Sequence, residues 1–172
     1  MKISIIGLPG SGKSTLAKAI HEKLNIPHIY IDRFWLEAGG EETKRGDNPE
    51  RNRVREYVKE RVREAIAQES WVSDGFYSRL QSEVASSADI LVFLDIPIME
   101  RLLNHIVRTF TERKRHAEVS FWDDVRFIPE VVRRTFRTGP KLKAFVLQYP
   151  DKLKILRSRR EIAAFIHTLG GS

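Results

Sequence analysis

Apolar positions along this chain of 172 residues change their period from one segment to the next. Lys2 to Ile6 is a short apolar run stopped by Gly7, the pattern of a buried strand. Between Ser14 and Leu24, Leu16, Ala17, Ile20 and Leu24 recur at helical spacing. Pro27 to Asp32 reads as a second strand ending on an acid, followed by a Gly- and Glu-rich loop from about Glu37 to Asp47. Asn48-Pro49 then opens a helix, a capping side chain followed by proline at the first helical position. That helix reaches about Glu69 and lines up Val54, Tyr57, Val58, Val62, Ala65 and Ile66. Trp71 to Ser73 is a third strand ending at Asp74-Gly75, and Ile90 to Leu94 is a fourth, closed by Asp95.

Beyond Asp95 the period is helical again, with Met99, Leu102, Leu103, Ile106, Val107 and Phe110 on one stripe. Thr111 to Val119 is polar and basic, while Phe121 to Phe136 and Lys141 to Leu147 read as helices. Leu153 to Leu156 is a last strand. Ser158-Arg159-Arg160-Glu161 forms a capping box, opening a helix that carries Ile162, Phe165, Ile166 and Leu169. Strands alternating with helices predict an α/β fold: about five parallel strands covered by helices on both faces, a three-layer sandwich. Residues 104–150 then form a basic helical insertion before the last strand. No repeat or low-complexity linker divides the chain, so residues 1–172 are expected to form a single domain.

Composition narrows the chemistry. Apolar residues make up 41% of the chain and charged residues 31%, an ordinary globular balance rather than a disordered one. The longest clean apolar run, Ile90 to Leu94, is far short of the roughly 20 residues a membrane span requires. The absence of cysteine excludes disulfides, thiolate metal sites and thiol nucleophiles. The apolar start breaks at Gly7, Pro9 and Gly10, with Lys13 following, unlike a secretory leader, so a cytoplasmic protein is expected. The net charge of +7 is unevenly placed: residues 101–160 hold 16 basic and 6 acidic side chains. Such a basic half suits a polyanionic or phosphorylated partner, or simply a solvated helical surface.

Gly7-Leu8-Pro9-Gly10-Ser11-Gly12-Lys13-Ser14 matches G-x-x-x-x-G-K-[ST] without a gap. A strand runs into it and an amphipathic helix runs out. The glycines let backbone amides curl around phosphate oxygens, Lys13 reaches the terminal phosphates, and the Ser14 hydroxyl suits Mg²⁺. The helix N-terminus adds its partial positive charge to the same nest. A nucleoside triphosphate is therefore expected over Gly7 to Ser14 and the adjoining Thr15. A second, metal-directed carboxylate belongs at the end of a neighbouring strand, and Asp74, Asp32 and Asp95 all satisfy that placement. Gly75 beside Asp74 favours a ligand role there. Ile96-Pro97 after Asp95 favours a helix-capping role, and Asp32 stays open between the two.

These motifs, with Tyr30-Ile31-Asp32, Trp71 to Arg79, Ala88 to Pro97 and the closing strand–helix unit, resemble the nucleoside monophosphate kinases. More narrowly, the chain is similar to adenylate-kinase-related proteins known as DNA topology modulation proteins. Adenylate kinases carry an Asp-Gly-Phe-Pro-Arg motif; here Phe76-Tyr77-Ser78-Arg79 replaces its end, with one extra residue and no proline. The resemblance implies ATP and Mg²⁺ as cofactors, with Asp74 as the Mg²⁺-linked acid. It implies a small-molecule acceptor, a nucleotide or nucleoside, held over about residues 33–70 and by Asp32, Arg33 and Arg79. Asp32 would serve as general base for a hydroxyl acceptor. The basic insertion takes the place of the family's lid, whose arginines close on the transferring phosphoryl group. Arg108, Arg113 and Arg115, then Arg133, Arg134 and Arg137, are the candidates. Asn104 stands where the first of the family's two arginines four residues apart would fall, with Arg108 as the second. Arg157, Ser158 and Arg159 occupy the loop that passes the adenine in the family.

Two other classes compete with this phosphotransferase. An ATP-hydrolysing, nucleic-acid-associated regulator fits the basic segment, but aromatic residues are not interleaved with the charges and no DNA-reading motif is present. A GTPase lacks its asparagine-lysine-x-aspartate signature.

Overall fold

The computed structural model describes residues 1–38, 49–75, 80–113 and 128–170. Five strands form one parallel sheet: β1 (Lys2–Gly7), β2 (His28–Tyr30), β3 (Trp71–Asp74), β4 (Ile90–Leu94) and β5 (Leu153–Leu156), in the order β2-β3-β1-β4-β5. Eight α-helices lie among the described residues: α1 (Lys13–Leu24), α2 (Ile31–Glu37), α3 (Pro49–Ala67), α4 (Gln81–Ser87), α5 (Ile98–Arg113), α6 (Ile128–Arg137), α7 (Gly139–Val146) and α8 (Arg159–Thr168). The α/β architecture expected from the alternating periods is present.

The two-residue period of the strands sorts the core into layers. Ile3, Ile5, Val72, Val92 and Leu94 pack with Leu16, Ala17 and Ile20 of α1, with Leu156, and with Ile162, Phe165 and Ile166 of α8. The intervening residues Ile6, Leu91 and Phe93 pack on the other side with Ala85 of α4 and with Leu142 and Val146 of α7. Under β2 and β3, Ile29, Ile31 and Trp71 meet Val54, Val58 and Val62 of α3. Trp71 is fully buried, and its indole Nε1 donates to the Ile66 carbonyl at 3.0 Å. The central strand β1 thus points its C-terminal end, and the glycine-rich turn, to the edge where the strand order reverses. Ligands gather at this position in open parallel sheets.

Several elements differ from the sequence pattern. The second strand stops at Tyr30, and Ile31 to Glu37 turn at once into α2, so Asp32 lies in the first turn of a helix. Buried Ile31 continues the apolar run but packs as a helical residue. On α3, Val54, Val58 and Val62 are buried at four-residue intervals, while Tyr57 lies at the flank, 39% exposed. Helix α4 has little pattern to announce it, since Val84 and Ala85 are its only buried apolar side chains.

Helix α5 reverses expectation. Met99, Leu103, Ile106 and Val107 are open to solvent, while Arg101 is 2% exposed and faces inward. The C-terminal part of the 104–150 stretch is built into the sandwich, through Leu142 and Val146. The helical reading of Phe121 to Phe136 is described from Ile128 onward.

The Ser158 half of the capping box forms at the start of α8, with the Glu161 carboxylate on the amide one residue before the cap. Ser158 Oγ accepts the Glu161 amide at 3.2 Å, and the Glu161 carboxylate reaches back to the Arg157 amide at 2.9 Å. Loss of such a cap costs about 1 kcal/mol. Ser158→Ala is therefore expected to lower urea-unfolding stability by about that amount, with an unchanged m-value.

Candidate active site

The turn between β1 and α1 is built from backbone that a side chain would disrupt. Gly10 has φ +78°, and a Cβ there would come within 2.6 Å of the Arg101 carbonyl oxygen. Gly12 precedes α1 at φ +89°, and a Cβ on it would meet nothing within 4 Å. The space in front of the turn is thus open, with the first amides of α1 behind it. Ser11 Oγ is buried and unpartnered among the described residues. An open cradle, a helix N-terminus and an orphaned hydroxyl suit a phosphate group.

Lys13 folds back over this turn, its Nζ donating to the Leu8 carbonyl at 3.2 Å. Its pKa is lowered from 10.5, first by burial and then by the positive charges of Arg101 and Arg134, against the opposing pull of Asp74 and Asp32. The two carboxylates and the two guanidinium groups therefore surround the lysine at electrostatic range. Asp74, at the end of β3, is buried, and its Oδ2 accepts the Ser14 hydroxyl in a short bond of 2.5 Å. Its Oδ1 lies 2.9 Å from His28 Nε2. Asp32 lies next to Gly75, whose φ of +103° and tight approach to Ile31 favour glycine. A Cβ there would come within 3.2 Å of Ile31 Cβ and sit 3.6 Å from Asp32 Cγ, the latter an ordinary contact. A hydroxyl and a carboxylate at this distance fit a hard cation such as Mg²⁺, which takes few protein ligands. Among the described residues no cluster of three or more His, Asp or Glu side chains offers an all-protein metal cage.

Beneath the turn lies a second layer that sequence reasoning missed. The buried Arg101 guanidinium donates to the Ile96 carbonyl (3.1 Å), the Pro9 carbonyl (3.4 Å) and Thr135 Oγ1 of α6 (2.7 Å). All three acceptors are neutral. Burial lowers its pKa, while Asp95 opposes the shift. Asn104 donates from Nδ2 to the Gly10 carbonyl at 3.0 Å and accepts from Arg159 at 2.7 Å. The cross-links thus tie α5, α6 and the start of α8 to the phosphate turn. The signals for this layer were a lone arginine among Met99, Leu102 and Leu103, which an apolar-stripe reading discards, and Asn104, noted only for standing at an arginine position.

The remaining sequence candidates fall as follows. Gly7 ends β1, Leu8 packs partly into the core and Thr15 is exposed on α1. Arg33 is exposed and bonds Glu37 at 2.8 Å. Arg157 pairs with Asp95 at 3.8 Å, so Asp95 sits at the β4–β5 side of the sheet. Arg133 and Arg137 are exposed on α6, where Arg134 is the residue whose charge reaches Lys13. Arg108 and Arg113 belong to α5 by backbone, but their side chains lie outside the described residues, as do Arg79 and Arg115. No helix among the described residues is long and apolar enough to cross a membrane.

The fold and turn together define a P-loop protein of the nucleoside monophosphate kinase-like superfamily. Residues 6–120 match the family model described as AAA domain, and the chain belongs to that family. Adenylate kinases from Staphylococcus aureus (strain N315) and Staphylococcus epidermidis (strain ATCC 12228 / FDA PCI 1200) are 30% identical over 125 residues, 62% of this chain. The match spans only 58% of the length of those curated relatives. The crystal structure of shikimate kinase from Bacteroides thetaiotaomicron superposes with a TM-score of 0.57 at 22% identity, covering 98% of this chain and 95% of that one. That likeness extends to the fold.

Lys13→Met removes a half-buried, partly desolvated charge while keeping most of the side-chain volume. The variant is expected to melt above the wild type, by about 2–4 °C per kcal/mol recovered. The pH dependence has a definite sign. Between the lowered folded value and 10.5 the unfolded chain binds more protons at Lys13, so wild-type stability gains with rising pH there and the variant lacks that gain. Thermal melts across an alkaline pH series check both.

Proposed function

We propose that this protein is an ATP-dependent phosphotransferase that passes the γ-phosphoryl group of ATP to a small acceptor, a nucleotide or nucleoside. The observation that carries the reading is the Ser14–Asp74 hydrogen bond beside Lys13 at the mouth of the phosphate turn. Adenylate kinases among the relatives, and the shikimate kinase that shares the fold, support it.

In this reading the amides at the start of α1 bind and orient the triphosphate. Lys13 leaves the Leu8 carbonyl for the terminal phosphates, where its charge is offset. Ser14 and Asp74 are the residues that would hold Mg²⁺, and a cation there supplies neutralisation of charge on the phosphoryl oxygens. Asp32 faces the same space across Gly75. It would take the proton of a hydroxyl acceptor, whereas an ionised phosphate acceptor needs no base. Arg134 and the buried Arg101 add positive potential where charge spreads over the equatorial oxygens. Arg108, Arg113, Arg133 and Arg137 remain lid candidates from the resemblance, as Arg79 and Arg33 do for the acceptor and Arg157, Ser158 and Arg159 for the adenine. Catalysis rests on positioning and electrostatics rather than on covalent chemistry from the chain.

The competing reading, an ATP-hydrolysing nucleic-acid-associated regulator, draws on the excess of basic residues over 101–160. A transfer screen with ATP and Mg²⁺ against nucleosides, nucleoside monophosphates and small polyol acids separates the two. Transfer to one acceptor class, reduced on the order of a hundredfold or more in Lys13→Met, is the expected result. An empty screen with steady ATP hydrolysis stimulated by duplex DNA favours the regulator. Among the α6 arginines, Arg134→Ala is expected to lower kcat more than Arg133→Ala or Arg137→Ala. Steady-state kinetics of the three variants on the acceptor found check the ranking.

A further inference from the structure

The sheet places a second donor on the metal-facing carboxylate. We propose that His28 is a positioning residue that fixes the rotation of the Asp74 carboxylate, so that Oδ2 stays on Ser14; this rests on the reading of Asp74 as the Mg²⁺-linked acid. His28 opens β2, opposite Val72 of β3, and Tyr30, two residues on, lies opposite Asp74. The side chains of His28 and Asp74 are 5% and 6% exposed, with Nε2 2.9 Å from Oδ1. An ionised carboxylate only accepts, so the imidazole contributes an Nε2–H. The Tyr30 ring lies against the imidazole at 3.6 Å between centroids and holds it in place.

The physical need is clear from the other oxygen. The terminal torsion of an aspartate is broad and nearly two-fold, and nothing intrinsic to the side chain selects one setting. Here each carboxylate oxygen has a donor of its own, His28 on one side and Ser14 on the other. Removing the imidazole frees Oδ1 inside a nearly dry site. With Ser14 the one donor left among the described residues, either oxygen can take its hydroxyl and the carboxylate plane can rotate about that bond. The orientation of the carboxylate is then no longer set. Outer partners of ligating groups commonly carry 10–100-fold effects on metal affinity. The polar contact described for His28 is the one to Asp74. Acting through that carboxylate, it would set the affinity for metal-loaded over metal-free nucleotide.

The experiment uses the full chain and isothermal titration with ATP in MgCl₂ and with ATP in EDTA. Wild type is compared with His28→Gln, whose amide nitrogen reaches the place of Nε2, and with His28→Asn, one carbon too short to do so. The ratio of Mg²⁺-loaded to metal-free ATP affinity is expected to fall about tenfold or more in His28→Asn and to be largely kept in His28→Gln. Should the Asn variant not fold, His28→Leu fills the same space without a donor and gives the same comparison. An unchanged ratio in His28→Asn, an equal loss in the Gln variant, or a parallel fall of both affinities would overturn the proposal. A wild type that binds ATP equally with and without Mg²⁺ overturns the metal reading of Ser14 and Asp74 itself. A normal wild-type ratio left intact by His28→Asn removes only His28.

Discussion

A half-buried lysine ammonium beside a turn of backbone amides is the constraint around which this molecule is arranged. Lys13 cannot reach full solvation, and burial pushes its pKa down. What keeps its charge tolerable is the placement of Asp74 at the end of β3 and of Asp32 in the first turn of α2, just past β2, because the parallel sheet brings strand ends to one edge. The Leu8 carbonyl supplies the one local hydrogen bond. This is a poor resting environment for a cation and a good one for a cation awaiting a polyanion.

The rest of the architecture keeps that turn from collapsing onto its own charge. Arg101 and Asn104 hold the carbonyls of Pro9 and Gly10 from below, so the amides of the turn stay directed to the open side. Using an arginine for the task has an electrostatic consequence. Its hydrogen-bond acceptors are neutral, and among the described residues only the more distant Asp95 carboxylate opposes its charge, which adds to the positive potential beside the turn. Thr135 completes the fork and joins α6 to the same network. Movement of α5 or α6 would therefore be felt at the phosphate turn through hydrogen bonds rather than through loose apolar contacts. Residues from four separate elements converge on one short loop, and each is held by at least one partner that the sheet or its helices bring into place.

Much of this was legible from local pattern. The glycine-lysine-serine motif, its strand before and helix after, the last strand and the capping box of Ser158 all depend on residues within one turn or one strand of each other. Periodicity detects such units well. Asp74 was partly legible: the sequence put Asp32, Asp74 and Asp95 at strand ends, and the glycine after Asp74 favoured the one that meets Ser14. Less legible was the switch at Ile31, where β-branched residues favoured a longer strand and the packing of Ile31 under α3 and β3 favoured a helix. The α5 stripe misled for a related reason: its apolar residues outnumber Arg101 and Asn104, but the backbone carbonyls they would have faced required donors.

The sequence by itself determined the phosphate turn, the alternation of strands and helices and the acid that ends the third strand, since each is written in contiguous residues whose backbone preferences agree. Tertiary structure alone decided which face of α5 turns inward, which α6 arginine senses Lys13, and that His28 meets Asp74. Those outcomes depend on partners 34 to 121 residues apart. They are set by desolvation and hydrogen-bond satisfaction at the place where strands distant in the chain become neighbours. No local period carries that information.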